Sequence, residues 1–135
     1  AYLERLAATG RQLAVEHKAD LAKIERDIGV DRYSILAIWG RETAFGNHKL
    51  PHDAIEVLAT LAWTGRRKEL FRNELIEALK MLQSGVARSD MRASWAGAVG
   101  LTQFMPSEYF THARDLDGDG KLEVQRLLIP EPIEL

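Results

Sequence analysis

Residues 39–46, WGRETAFG, set a glutamate, Glu42, between a tryptophan and a phenylalanine. Read as part of a helix, the stretch leading into it puts Ile35, Ile38, Trp39 and Glu42 at spacings of three, four and seven. The reading therefore places all four on one face, otherwise apolar. Desolvation on such a face disfavours a carboxylate anion, and the negative end of the helix macrodipole near Gly46 acts in the same direction. A glutamic acid that keeps its proton in this way serves as a general acid. The plainer alternative is a residue at the stripe's edge, paired with Arg41 or another surface cation, since most helix glutamates are solvated.

Outward from this stretch the chain reads as mainly helical. Leu13, His17, Leu21, Ile24 and Ile28 recur at helical spacing over about 11–28, with Gly29 suited to end the helix and Asp31 to cap the next, about 32–44. Asn47 and Pro51 mark a loop. A third helix is expected over 53–63, with Ala54, Val57, Leu58, Leu61 and Ala62 on one face. A fourth follows TGRRK and carries Phe71, Leu75, Ala78, Leu79 and Leu82 up to Gly85. Beyond about residue 93, SWAGAVGLTQFMPSEYF is rich in small residues that let backbone or ligand approach closely, and Pro106 opens a short helix. The tail KLEVQRLLIPEPIEL, with two prolines, reads as an extended segment, either an edge strand or an arm.

At 135 residues the chain is expected to form one domain, and neither internal repeats nor a low-complexity linker argues for a second. No apolar run approaches the length of a membrane span. Eighteen basic residues against twenty acidic ones argue against a dedicated nucleic-acid binder. The absence of cysteine excludes disulfides, thiol catalysis and thiolate metal sites. The opening AYLERLAATGRQ lacks a charged segment followed by an apolar one, so a signal peptide is expected to be already removed or never present. His17, His48, His52 and His112 show no zinc-ligand spacing, and no serine sits in a nucleophile elbow.

Three further groupings carry candidate chemistry. In DLDGDGKLE, residues 115–123, Asp115, Asp117 and Asp119 occupy positions one, three and five of a calcium loop, Gly120 the turn at six, the Lys121 carbonyl seven and Glu123 nine. Position twelve is Arg126, where the usual bidentate glutamate is missing. Carboxylates this crowded repel one another unless a cation lies among them, so a structural Ca2+ is favoured over a solvated acidic turn. Arg66 and Arg67, beside Lys68, form either a solvated basic turn or a bidentate clamp for acidic substrate groups. Ser94, Trp95, Gln103 and Phe104 supply the hydroxyl, amide and aromatic groups that a sugar or peptide cleft uses, although core packing alone would account for the two aromatics.

Taken in order, IWGRETAFG, VLATLAWTGRRKELFRNEL, SWAGAVGLTQFMPSEYF and DLDGDGK resemble the catalytic domain of the lytic murein transglycosylase B family over about residues 24–121. The resemblance implies a lysozyme-like helical domain with a calcium-binding loop near the C-terminus, located in the periplasm or cell envelope. It implies cleavage of the β-1,4 bond between N-acetylmuramic acid and N-acetylglucosamine without water, leaving a 1,6-anhydromuramoyl end. The partner it implies is a peptidoglycan glycan strand; no catalytic cofactor is expected, and no protein partner is indicated. Glu42 matches the family's catalytic glutamate, Arg66 and Arg67 its substrate-contacting arginines, Ser94 its serine and Gln103 its glutamine. Its calcium loop matches Asp115, Asp117, Asp119, the Lys121 carbonyl and Glu123, the last in place of the more usual aspartate.

The residues fit that chemistry independently. Most glycosidases flank the bond with two carboxylates. A lone one suffices when the substrate's own hydroxyl is the nucleophile. Two departures stand out: Leu101 replaces a residue that is often polar in relatives, and the chain ends at RLLIPEPIEL where relatives continue to a Tyr-Asn pair lining the cleft. A single domain, 1–135, truncated at its C-terminus, is therefore expected. The alternatives are a catalytically inactive, calcium-stabilised peptidoglycan-binding module and a lysozyme-type hydrolase.

Overall fold

The computed structural model describes residues 1–115 and 118–120. It divides into two units, one from Ala1 to His48 and one from Lys49 onward.

The first unit consists of α1 (Tyr2–Glu16), α2 (Lys18–Ile28) and α3 (Arg32–Thr43). The expected helix over 11–28 is in fact two helices, and the first starts at Tyr2 rather than near residue 11. The break falls at His17, whose backbone leaves the helical range (φ −102°, ψ 25°). It lets α1 and α2 each lie against α3, so that Leu13 from one and Leu21 and Ile24 from the other are all buried. Trp39 is only 1% exposed. The edge of the His17 ring approaches it at 6.5 Å between centroids, and Phe45 meets it edge-on at 5.3 Å.

Local chemistry sets the α2–α3 junction as expected. Gly29 ends α2 in the left-handed conformation (φ 80°). Asp31 caps α3, its carboxylate accepting from the Ser34 backbone N–H at 2.9 Å. Across the same junction the Glu25 carboxylate accepts from the Arg32 backbone N–H and from Nε, both at 2.9 Å, and from Nη2. The Arg32 side chain, followed by its backbone N–H, lowers the Glu25 carboxyl to about 2.

In the second unit, α4 (Ala54–Thr64) and α5 (Lys68–Gln83) pack side by side. Ala54 and Ala78, both fully buried, let their backbones come close. Asp53 caps α4 by accepting from the Glu56 N–H at 3.1 Å and is gripped by Arg88 Nε at 2.8 Å; that guanidinium holds the Asp53 carboxyl below its ordinary value. A short antiparallel pair, β1 (His52–Asp53) with β2 (Arg92–Ala93), continues through bridges joining Val99 to Ala93 and to Phe104. Leu58, Met81, Met91, Val99 and Tyr109 of α6 (Pro106–His112) close the core. α6 is tied to α5 by Ser107, whose N–H and hydroxyl both donate to Glu74. At Gly97 (φ 88°) an added Cβ would lie 2.4 Å from Leu58 Cδ2, so only glycine lets this turn sit on α4.

The third and fourth helices, and the short one opened by Pro106, lie where the apolar spacing predicts them. The tail from Lys121 lies outside the described residues. No helix among the described residues is long and apolar enough to cross a membrane.

Candidate active site

Glu42 occupies the last turn of α3 and is exposed, so the sequence expectation that it sits on a buried face needs correction. The core-facing stripe of α3 is Ile35, Leu36, Trp39, Gly40 and Thr43. Ile38, half exposed, and Glu42 lie just outside that stripe. α1 and α2 decide which side of α3 faces inward, and the three-four spacing alone admits both choices. The desolvation by protein that was expected to favour the protonated form is therefore not supplied by the described residues. The plainer alternative is realised in part: Glu42 lies outside the buried stripe and in solvent, but among the described residues it makes no hydrogen bond and no ion pair.

The glutamate instead stands at an open groove of about 940 Å3 between α1 and α3. Leu3, Leu6, Ala7, Ala14, Leu36 and Ile38 make most of its lining apolar; Arg11 and Arg41 add two cations, and among the described residues Glu42 is its sole acidic one. The α1 half of this lining was missed from the sequence. Its signal was present, because Leu3, Leu6, Ala7, Gly10 and Ala14 already repeat at helical spacing before residue 11, where the helix was expected to begin.

The backbone beneath Glu42 is held firmly. Ala44 (φ 50°) and Phe45 (φ 58°) both adopt the left-handed conformation, at a cost on the order of 1–2 kcal/mol per residue. This reversal swings the Phe45 ring back over Gly40 and Gly10. The turn is closed by the Ala44 N–H to the Gly40 carbonyl at 3.0 Å and the His48 N–H to the Thr43 carbonyl at 2.8 Å.

In the second unit, Arg66 and Arg67 lie exposed in the tight turn between α4 and α5. Neither guanidinium meets a partner among the described residues, which leaves both to bind an anion. The turn itself requires Gly65, where a Cβ would lie 2.4 Å from the Leu61 carbonyl oxygen. Ser94 and Gln103 belong to one loop and brace it. The Ser94 hydroxyl oxygen accepts from the N–H groups of Ala96 and Ala98, both at 3.3 Å. Gln103, itself left-handed (φ 59°), donates through Nε2 to the carbonyls of Ala98 at 3.2 Å and Gly100 at 3.1 Å. Among the described residues the Ser94 O–H and the Gln103 Oε1 meet no partner. Phe104 is half-buried, packed on the core with its ring 6.5 Å from that of His112, whereas Trp95 is exposed.

At the acidic loop the two carboxylate oxygens of Asp115 accept from the N–H groups of Gly118 at 2.7 Å and Gly120 at 2.8 Å. Asp119 is described and exposed; Asp117, Lys121 and Glu123 lie outside the described residues. Among the described residues no three metal-binding side chains gather.

The described residues form a mainly helical protein of the lysozyme-like class, in which Glu42, at the end of α3, is exposed and unpaired among them. The chain belongs to the Transglycosylase SLT domain family, whose profile matches residues 2–127. It is 37% identical over 98 residues to membrane-bound lytic murein transglycosylase B of Escherichia coli, covering 71% of this chain and 27% of that protein. Among solved structures, SltB3 from Pseudomonas aeruginosa in complex with NAG-NAM-pentapeptide superposes with a TM-score of 0.86 at 40% identity, over 90% of this chain and 33% of that one. The Escherichia coli lytic transglycosylase Slt35 in complex with calcium gives 0.84 at 31% identity, over 90% and 39%. The chain thus spans between a quarter and two-fifths of the length of these relatives.

Proposed function

We propose that this protein is a peptidoglycan lytic transglycosylase of the bacterial periplasm or cell envelope, with Glu42 as its acid and then its base. The observation that carries the reading is that, among the described residues, Glu42 is the one carboxylate lining the groove, exposed and unpaired, on a helix end fixed by a strained turn. The relatives lend support: SltB3 is seen with NAG-NAM-pentapeptide and, in a second structure, with NAG-anhNAM-pentapeptide.

In this reading a glycan strand laid over Glu42 excludes water from it, supplying the desolvation that the protein's own side chains do not. The Glu42 carboxylic acid donates its proton to the glycosidic O4 as the C1–O4 bond breaks, releasing N-acetylglucosamine with a free hydroxyl. The Glu42 carboxylate then takes the proton of the muramoyl C6 hydroxyl as O6 bonds to C1. No water is consumed, and the enclosed hydroxyl reacts with the advantage of an intramolecular nucleophile. Arg66 and Arg67 hold substrate carboxylates, while the Ser94 O–H and Gln103 Oε1 hydrogen-bond the sugar or its peptide; Phe104 offers them an apolar flank.

A structural Ca2+ fits the acidic loop. The donors are hard oxygens, and Asp115 folds the start of the loop by accepting from the Gly118 and Gly120 N–H groups. Asp115, Asp117, Asp119, the Lys121 carbonyl and Glu123 would hold it, and bound there the ion supplies loop stability. Slt35 in complex with calcium is the relative that supports this part.

Digestion of purified peptidoglycan followed by mass analysis tests the reaction. Products lighter by one water than those of hydrolysis, formed by the wild type and lost in Glu42→Gln, are the expected result. Reducing ends that have taken up water would overturn it in favour of a lysozyme-type hydrolase.

A further inference from the structure

Trp95 stands 75% exposed, while the loop that bears it is braced by side-chain and backbone hydrogen bonds. The Ser94 hydroxyl oxygen accepts from Ala96 and Ala98, the Gly97 N–H donates to the Ser94 carbonyl at 3.0 Å, and the Ser94 N–H donates to the Ala98 carbonyl at 2.9 Å. From the far side of the loop, Gln103 Nε2 clamps the Ala98 and Gly100 carbonyls. Gly97, seated against Leu58, locks the loop to α4. An indole left in water by a floppy loop needs no explanation. One held in solvent by a braced loop is presented in a fixed place to any ligand that meets the loop.

Two of the loop's polar side chains are largely spent on this bracing, which leaves the indole as the largest group the loop presents. Its π face is electron-rich, and its N–H gives a polar edge. A pyranose ring in the β-linked chair carries polarised C–H groups on one face and hydroxyl and acetamido groups around its rim, the complementary pattern. We propose that Trp95 is the sugar-stacking residue of the glycan site, its indole receiving the C–H face of an N-acetylhexosamine ring, with Ser94 and Gln103 acting as positioning residues that hold it there. The inference rests on the reading of the protein as a glycan-binding enzyme and names the group that sets its preference for a pyranose.

The test measures binding of a purified GlcNAc–MurNAc tetrasaccharide in a Glu42→Gln background, where the sugar is not turned over. Trp95→Leu, similar in apolarity but without a π face, is expected to weaken binding about five- to tenfold, in line with the stabilisation that ring stacking gives beyond buried area. Trp95→Phe, which retains a π face, is expected to keep most of the affinity. At so exposed a position both variants should fold, and circular dichroism checks that they do. Affinity unchanged in Trp95→Leu, or weakened as much in Trp95→Phe as in Trp95→Leu, would overturn the inference. Cleavage by the wild type is read separately. A protein that cleaves but binds sugar indifferently to residue 95 overturns this inference alone; one that binds through residue 95 without cleaving leaves it standing and removes the proposed reaction.

Discussion

The Phe45 ring lies so close over Gly40 that a methyl group added there would come within 2.6 Å of a ring carbon. Glu42 sits between these two residues in sequence, on the turn they hold together. Gly40→Ala is therefore expected to push Phe45 from its place against Trp39 and to destabilise the fold by about 1–3 kcal/mol, as overpacking does. Denaturant unfolding measures this. Because the displaced turn carries the proposed acid, activity should fall further than the unfolded fraction accounts for. Equal losses in both would show that the turn does not position Glu42.

The Glu25–Arg32 pair predicts an acid-side weakness. The Glu25 carboxyl is lowered from 4.5 to about 2 by hydrogen bonds from Arg32, so its contribution is complete above pH 4.5 and is lost as pH falls from there toward 2. The melting temperature should decline across that window. In Arg32→Met this part of the decline should flatten, with the curve lower at neutral pH. Parallel curves for the two proteins would exclude the pair as its source.

Asp53 both caps α4 and accepts from Arg88, joining the helix start to the turn before β2. Asp53→Ala should cost about 1–2 kcal/mol through the lost cap. Asp53→Asn, which can still cap but lacks the charge, should recover part of it. The same loss in both variants would assign the whole effect to the ion pair.

If the acidic loop holds Ca2+, the ion binds the folded chain and adds stability by mass action, about 2.7 kcal/mol at a hundredfold excess over its dissociation constant. EDTA should lower the melting temperature, excess Ca2+ should restore it, and Asp115→Ala should abolish the difference. A melting curve indifferent to chelation would remove the ion.

Elements governed by local chemistry were legible in the sequence. Gly29, Asp31 and Pro106 start and stop helices through their own backbone preferences, and α4 and α5 follow from apolar spacing. The facing of α3 was not legible, because Ile35 and Trp39 are shared by two candidate stripes and only the packing of α1 and α2 selects the one that leaves Glu42 in solvent. The break at His17 was hidden for a related reason: the apolar spacing continues through it, and the turn exists to serve contacts with Trp39. β1 and β2, two residues each, are too short to show any alternation. For the site, residue types and motif order were enough to nominate Glu42, the arginines and the 94–104 loop. That Ser94 and Gln103 turn inward to tie the loop, and that Trp95 alone of its two aromatics stays bare, depends on hydrogen bonds no spacing encodes.

Because Glu42 stands in open water, a short soluble glycoside would leave it as wet as before. On the proposed reading, only a ligand broad enough to roof the helix end can dry that carboxylate, so a polymeric strand would act as part of the catalytic apparatus as well as its target. Under that reading the groove would discriminate against stray sugars by their breadth, before any chemistry begins.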